Sequence, residues 1–167
     1  MRYRIGVDLG ATNIAAGVLN EAGELLHRLK ARTAAARPFE QIAADIAQLA
    51  RRAAREAEIE EAQVDYVGIG VPGAIDHNRD RIVFSSNLGW RGVSLSEAFR
   101  KSWDIPVYIG NDADCAALGE AAARKDERYK NTVMLTLGTG VGGGVIIDGK
   151  LYRGGDGFGC EPGHITV

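Results

Sequence analysis

The chain is poor in cysteine, proline and aromatic residues, and neither sign of charge is in large excess. Its 167 residues include 2 cysteines, 4 prolines and 7% aromatic residues, and 20 basic residues stand against 22 acidic ones. Without a basic stripe, we expect it to bind neither nucleic acid nor an anionic membrane surface. No secretory leader pattern follows Met1, and no apolar run approaches the roughly 20 residues that span a bilayer. We therefore expect a soluble, cytoplasmic protein with small-molecule ligands.

The scarcity of cysteine excludes a disulfide framework. Cys115 and Cys160 lack the spacing of metal ligands, and nothing in the sequence indicates an oxidising compartment. We expect two reduced thiols and no zinc site made within this chain alone. At this length the chain can form one ordinary domain and part of another.

Glycine, in contrast, is abundant, and two glycine-rich segments look like one structural device used twice. They span residues 8–13 and 137–144, and each lies between apolar runs. Small residues let backbone N–H groups approach an anion closely. Two such segments facing each other would clamp the phosphates of a nucleotide. The expected contacts are Gly10, Thr12 and Asn13 in the first loop (residues 10–13), and Gly138, Thr139 and Gly140 in the second loop (residues 138–140).

Apolar periodicity predicts a mixed α/β domain in the order βββαβαβα. The strand over 64–71 follows a helical pattern over 38–59, so the chain should cross over and return parallel in the same sheet. Ser94 and Glu97 form a capping-box pattern that opens a helix to about Trp103. The remaining predicted strands are 3–8, 13–19, 24–30 and 106–109, and the last helix is 112–124.

A weak internal repeat indicates that a second unit begins after residue 131. A shift of 128 residues superposes Leu9-Gly10 on Leu137-Gly138 and preserves the apolar pattern that follows. Asp148-Gly149 between two apolar runs predicts a two-residue hairpin. We expect residues 1–124 to form the first domain, including its last helix, and residues 125–167 to form the incomplete start of a second.

The segment from Gly138 to Gly143 also matches G-x-G-x-x-G, a pattern found in dinucleotide-binding proteins. That function requires a helix directly after the glycines, whereas an apolar strand and an Asp-Gly turn follow here. We therefore give the dinucleotide interpretation little weight. No P-loop pattern occurs.

Two aspartates stand at the ends of predicted strands, where each has an ordinary and a chemical interpretation. Asp8 either caps a turn or holds Mg²⁺ through water beside the phosphates. Asn111 or Asp112 can serve as a helix N-cap. Asp112 can also accept a proton from an attacking hydroxyl during phosphoryl transfer. The cap and the catalytic base are compatible interpretations.

Six ordered motifs resemble the ROK family of sugar kinases and repressors, within the actin, Hsp70 and hexokinase superfamily. The resemblance covers the whole chain and implies a two-lobed ribonuclease H-like fold with ATP and a hexose between the lobes, often as a homodimer. The motifs are Asp8-x-Gly10-x-Thr12-Asn13, Gly70-Val71-Pro72-Gly73, Asn87-Leu88-Gly89-Trp90, Asn111-Asp112-x-x-x-Ala116-Ala117-Leu118-Gly119-Glu120, Leu137-Gly138-Thr139-Gly140-x-Gly142-Gly143-Gly144 and Glu161-x-Gly163-His164.

The resemblance also implies residue roles. Asp112 matches the base that takes the proton from the 6-hydroxyl of the sugar. The residues that match sugar-binding positions are Asn87, Asn111, Glu161 and His164. His164 would also bind structural zinc if cysteines like those that usually follow it in the family are present. His27 and His77 match no such position, and we expect them to be surface residues.

The form of Asn87-Leu88-Gly89-Trp90 resembles glucokinase-like members, so we expect an ATP-dependent hexose kinase with glucose as its substrate. N-acetylmannosamine, N-acetylglucosamine and mannose remain alternatives. Regulators of the family carry a helix-turn-helix before the first loop, and only seven residues precede Asp8 here, so we rank a sugar-responsive repressor lower. A non-catalytic sugar-binding fragment is the third alternative, because we expect the 167-residue chain by itself to be inactive.

Overall fold

The computed structural model describes residues 1–76, 78, 80–124, 126–138, 140–155, 157 and 159–164, with His164 described by its backbone alone. The chain forms two compact units, Met1–Gly110 and Asn111–Val167. The domains expected from the sequence, 1–124 and 125–167, are a division of the full-length protein. They stay a prediction.

The secondary structure follows the predicted α/β order, with additions. The strands are β1 (Tyr3–Leu9), β2 (Asn13–Leu19), β3 (Leu25–Arg32), β4 (Val64–Val71), β5 (Ala74–Asp76), β6 (Arg81–Ser85), β7 (Trp90–Val93), β8 (Val107–Asn111), β9 (Thr132–Leu137), β10 (Val141–Ile147) and β11 (Lys150–Leu151). The helices are α1 (Phe39–Glu56), α2 (Leu95–Arg100) and α3 (Asp112–Arg124), and short helical turns lie at Glu61–Gln63, Glu127–Lys130 and Pro162–His164.

The first unit is built on a five-stranded mixed sheet in the order β3-β2-β1-β4-β8. β1 pairs antiparallel with β2, and β4 returns parallel in the same sheet, as the apolar patterns predicted. The structure adds that β4 pairs in parallel with β1. The inward side chains of β1 are Ile5, Val7 and Leu9, and all three are buried. α1 lies against this sheet through a face rich in alanine, which lets its backbone approach closely. This packing fixes the ends of β1 and β2, where the first loop lies.

A small antiparallel sheet, β5-β6-β7, was not predicted from the sequence. Its strands span three to five residues, too short to show a clear alternation. The predicted helix at Ser94 is confirmed, with the Ser94 hydroxyl accepting a hydrogen bond from the Glu97 N–H at 3.3 Å. This helix ends at Arg100, earlier than expected.

The second unit is a three-stranded antiparallel sheet in the order β11-β10-β9, with α3 against it. The predicted hairpin is confirmed, because Ile147 pairs with Lys150 across Asp148 and Gly149. Both turn residues have positive φ, 51° and 74°, as this tight turn requires. Within the part of the chain that the structure describes, no helix is both long and apolar enough to cross a membrane.

Candidate active site

The first loop closes the hairpin between β1 and β2. Leu9 pairs with Ile14, and the Gly10 N–H donates a hydrogen bond to the Asn13 carbonyl at 2.9 Å. A Cβ at Gly10 would lie 3.1 Å from that same carbonyl oxygen, so a side chain there would crowd the turn. Thr12 and Asn13 are exposed, and Asp8 is exposed just before the loop. The loop therefore presents hydroxyl and amide groups beside a carboxylate.

The second loop closes the equivalent hairpin between β9 and β10, with one residue fewer. Leu137 pairs with Val141, and the Gly138 N–H donates to the Gly140 carbonyl at 2.9 Å. Thr139, a predicted phosphate contact, lies outside the described residues. A Cβ at Gly138 or Gly140 would meet no atom of the described residues within 4 Å. These two glycines leave open space at the loop that a ligand can occupy.

The glycines of the two loops do not use the conformational freedom that glycine offers. Gly10, Gly138 and Gly140 all have φ outside the positive range. Their contribution is the absence of a side chain, which lets a ligand approach the backbone. The N–H groups of Gly10 and Gly138 donate within the loops, so a bound phosphate would use other N–H groups of the loops. The close approach of an anion to these loops stays a prediction, and it does not depend on positive φ angles at the three glycines.

The glycines after the second loop serve packing. A Cβ at Gly142 would lie 3.3 Å from the Ala113 Cβ, and one at Gly144 would lie 2.7 Å from the Ala117 Cβ. α3 can lie against β10 only because these positions lack side chains. The residues after Gly140 form a strand and no helix follows directly, so the structure does not support a dinucleotide-binding loop.

Asn111 and Asp112 divide two roles at the start of α3. The Asn111 Oδ1 accepts a hydrogen bond from the Asp114 N–H at 3.1 Å, which is the geometry of a helix N-cap. The Asp112 Oδ1 accepts from the Ala113 N–H at 2.9 Å. Both side chains are half-buried. Because Asn111 caps the helix, Asp112 is not needed for that role.

The segment with Glu161 is docked on the strand that follows the second loop. Gly163 lies so close to β10 that a Cβ there would overlap the Val141 carbonyl oxygen. Glu161 is exposed, and the preceding Cys160 has a φ of 67°, in the region that favours glycine. His164 ends the helical turn at Pro162–His164, and its sugar contact stays a prediction.

Three predicted site elements of the second unit meet at the beginning of β10. Ala113, next to Asp112, faces Gly142, and Pro162, next to Glu161, faces Gly143. The second loop runs directly into the same residues of the strand. The structure therefore places the segments that carry the proposed base and a proposed sugar ligand on successive residues of one strand, next to the second loop. The two segments approach that strand from opposite faces.

Asn87 lies in a tight turn between β6 and β7 in the first unit. The Gly89 N–H donates to the Ser86 carbonyl at 3.3 Å to close this turn, and Asn87 is exposed on it. Gly73, two residues after the end of β4, lies very close to β6, because a Cβ at Gly73 would overlap the Phe84 carbonyl oxygen. Gly73 also has a φ of 123°, which a larger residue would adopt only with strain.

The residues present fit magnesium better than zinc. The exposed carboxylate of Asp8 beside a phosphate loop is a suitable partner for a hydrated Mg²⁺. Among the described residues, no three side chains of His, Cys, Asp or Glu are grouped to hold a metal. This donor set does not make a zinc site, so zinc binding by His164 stays a prediction that needs further ligands.

The structure assigns neither His27 nor His77 to the site. His27 Nε2 lies 3.2 Å from Glu56 Oε2, in a contact that joins β3 to α1 at the surface. His77 lies outside the described residues.

Sequence reasoning missed Thr33, whose side chain is fully buried and whose hydroxyl donates to the Gly10 carbonyl. No local pattern signals this contact across 23 residues.

Comparison with known proteins identifies the family. The ROK family model matches residues 4–167. The chain belongs to the ROK family. A solved ROK family glucokinase from Streptomyces griseus, in complex with glucose and AMPPNP, superposes with a TM-score of 0.85 at 38% identity over 99% of this chain. The predicted ribonuclease H-like, actin-like ATPase fold with its mixed sheet is thus confirmed.

Curated relatives include both enzymes and regulators. A glucokinase from Streptomyces coelicolor is 39% identical over 100% of this chain and 50% of its own length. A xylose repressor from Caldicellulosiruptor bescii is 32% identical over 98% of this chain and 41% of its own length. The Streptomyces griseus kinase is covered over 51% of its chain. The present chain therefore spans about half the length of the relatives it matches.

Proposed function

We propose that the full-length protein, of which this chain is all or part, transfers the γ-phosphoryl group of ATP to the 6-hydroxyl of a hexose, with glucose as the substrate. The similarity to a glucokinase over the whole chain supports the reaction class. The Asn87-Leu88-Gly89-Trp90 motif supports glucose as the sugar. We further propose that the protein acts in the cytoplasm as a homodimer, at the entry of sugars into glycolysis.

The observation that carries this proposal is that the segments with Asp112 and Glu161 both pack on the start of β10, one on each face, directly after the second loop. Phosphoryl transfer needs an acceptor hydroxyl, a base and a phosphate-binding loop to be held in fixed positions. Ala113 and Pro162 contact successive glycine positions there, Gly142 and Gly143, directly after the second loop. Asp112 and Glu161 are each one residue from those contacts.

Each polar group has a role that suits its chemistry. Asp112 accepts the proton of the 6-hydroxyl as that oxygen attacks the γ-phosphorus. The N–H groups of the two loops hold phosphate oxygens. Sugar hydroxyls are bound by Asn87, Asn111, Glu161 and His164. Bound Mg²⁺, held near Asp8 through water, would supply positive charge to the phosphate oxygens.

Hydrogen bonds to a sugar select strongly against ligands that cannot make them. A carboxylate such as Glu161 forms charge-assisted bonds to hydroxyl groups, which are stronger than neutral ones. A ligand without the matching hydroxyl leaves such a group unpaired at a cost of about 1–3 kcal/mol. This preference suits a polyhydroxylated ligand such as a hexose.

A regulatory function is the second candidate, because a xylose repressor also aligns with almost the whole chain. A regulator needs to bind a sugar but does not need a base. Turnover therefore distinguishes the two candidates.

The test is ADP release by the purified full-length protein with ATP, Mg²⁺ and one sugar at a time. The panel comprises glucose, mannose, N-acetylglucosamine and N-acetylmannosamine. We expect glucose to give the highest kcat/KM, by about tenfold or more, since one lost or obstructed hydrogen bond costs about that factor. A preference for an N-acetyl sugar would overturn the choice of glucose, and sugar binding without turnover of any member would overturn the kinase.

A further inference from the structure

The first loop is hydrogen-bonded to Thr33, the residue that directly follows β3. The Thr33 Oγ1 donates a hydrogen bond to the Gly10 carbonyl at 2.6 Å. Its backbone N–H donates to the Thr12 carbonyl at 2.9 Å. The Thr33 side chain is fully buried, so it cannot itself touch a ligand in solution. One residue therefore binds two carbonyl oxygens of the same loop.

These two bonds decide which way the loop presents its backbone. In a planar trans peptide the C=O of one residue and the N–H of the next point in opposite directions. Drawing the Gly10 and Thr12 carbonyls towards Thr33 turns the N–H groups of Ala11 and Asn13 to the other side. Carbonyl oxygens repel phosphate oxygens, whereas N–H groups bind them. The contacts of Thr33 thus orient the loop for an anion.

Thr33 is itself anchored to α1. The Arg37 Nη2 donates to the Thr33 carbonyl at 2.8 Å and also lies 2.6 Å from the Asp45 Oδ2. Asp45 belongs to α1, whose buried face packs on the sheet. The loop is therefore connected through Thr33 and Arg37 to the rigid core of the first unit.

We propose that Thr33 is a positioning residue for the phosphates of the nucleotide. The proposal rests on the proposed function, because it takes the first loop to be a phosphate-binding loop. Thr33 fixes the loop before ATP arrives, so that binding does not have to order it. Loss of the hydroxyl leaves the Gly10 carbonyl without its buried partner and lets that peptide turn.

The test compares Thr33→Val and Thr33→Ser in the full-length protein. Valine keeps the shape and the backbone N–H but removes the hydroxyl, whereas serine keeps the hydroxyl. We expect Thr33→Val to raise the KM for ATP about tenfold and the KM for glucose by less than about twofold, as loss of one buried hydrogen bond at the loop would do. Thr33→Ser should restore the KM for ATP to within about twofold of the unsubstituted protein.

Thr132→Val is the matched control. The Thr132 hydroxyl also donates to a backbone carbonyl, that of Tyr129, at 3.0 Å, but it belongs to neither loop. The same chemical change there should leave the KM for ATP unaltered. An unchanged KM for ATP in Thr33→Val, or equal losses for ATP and glucose, would overturn the proposal.

Amide hydrogen exchange at residues 10–13 gives a readout that does not depend on turnover. We expect faster exchange at these amides in Thr33→Val and unchanged exchange in Thr33→Ser. Equal exchange in all three proteins would contradict the proposal, even if the proposed kinase activity failed. If Thr33→Val does not fold, Arg37→Met decides instead, since it removes the bond to the Thr33 carbonyl. Unchanged exchange and an unchanged KM for ATP in Arg37→Met would overturn the proposal.

Discussion

At the scale of single residues, the structure decides which of two neighbouring residues caps α3. Either Asn111 or Asp112 was predicted to cap α3, and the bond from the Asp114 N–H assigns the cap to Asn111. Asp112 then stands at the first helical position, beside Ala113. Its carboxylate oxygen accepts a bond that an amide oxygen could also accept, so Asp112→Asn should keep the local fold.

Asn87 supplies the residue-scale prediction. It is exposed on a four-residue turn, and its Oδ1 accepts a long hydrogen bond from the Ser86 hydroxyl at 3.4 Å. Asn87→Ala should therefore leave the melting temperature unchanged while it raises the KM for glucose about tenfold, the value of one lost hydrogen bond. The KM for ATP should not change.

Asn78→Ala is the control for this change, because Asn78 is exposed and the bond it makes uses its backbone N–H. Steady-state kinetics with varied glucose measure the effect. A normal KM for glucose in Asn87→Ala would show that Asn87 does not bind the sugar.

The contacts of Thr33 with the first loop could not be predicted from the sequence. Exposed polar residues at strand ends could be found because strand, turn and helix signals place them locally. Thr33 is buried and acts on a loop 23 residues earlier, so its role depends on the tertiary fold. No local sequence pattern distinguishes a threonine with this role from any other threonine that follows a strand.

At the scale of elements, β10 organises the second unit. Its glycines allow α3 to approach from one side through Ala113 and Ala117, and Gly143 lies against Pro162. The strand could be predicted from the apolar run and the Asp-Gly turn. The close contacts could not, because a glycine in sequence does not reveal which neighbour requires it.

Gly163 gives the element-scale prediction. A methyl group at this position would overlap the Val141 carbonyl oxygen, so Gly163→Ala should push the Glu161 segment away from β10. We expect the KM for glucose to rise about 30-fold or more, because a displaced segment loses more than one hydrogen bond. Calorimetric titration with glucose measures the accompanying loss of glucose affinity directly.

Gly155→Ala is the matched control, since a Cβ there would meet no atom within 4 Å in the part of the chain that the structure describes, and its φ is not positive. That variant should bind glucose normally. Equal glucose affinity in both variants would contradict the docked arrangement of the Glu161 segment.

Strand length explains part of which strands were predicted, although β8 was predicted with five residues and β6, of the same length, was not. Strands β1, β2 and β4 span seven or eight residues, long enough for alternation or a continuous apolar run to be visible. β5, β6 and β7 are shorter, and they were missed although they form a sheet. The turn at Asn87 lies between two of these strands, so its motif was visible while the structure that supports it was not.

At the scale of the whole molecule, the internal repeat has structural meaning. β1 and β2 form an antiparallel hairpin around the first loop, and β9 and β10 form another around the second. The second loop is one residue shorter, a difference that the shift of 128 residues did not reveal. Under the proposed function, the two hairpins would offer two backbone sites for the phosphates of ATP.

The central claim is that the protein is a hexose kinase in which Asp112 accepts the proton of the sugar. The most direct measurement is kcat and glucose affinity for Asp112→Asn in the full-length protein, with Asp104→Asn, an exposed aspartate, as control. We predict a fall in kcat of about 10²–10⁴, the contribution of a general base, with glucose affinity within about threefold of normal. A kcat for Asp112→Asn close to that of the unsubstituted protein would contradict the account.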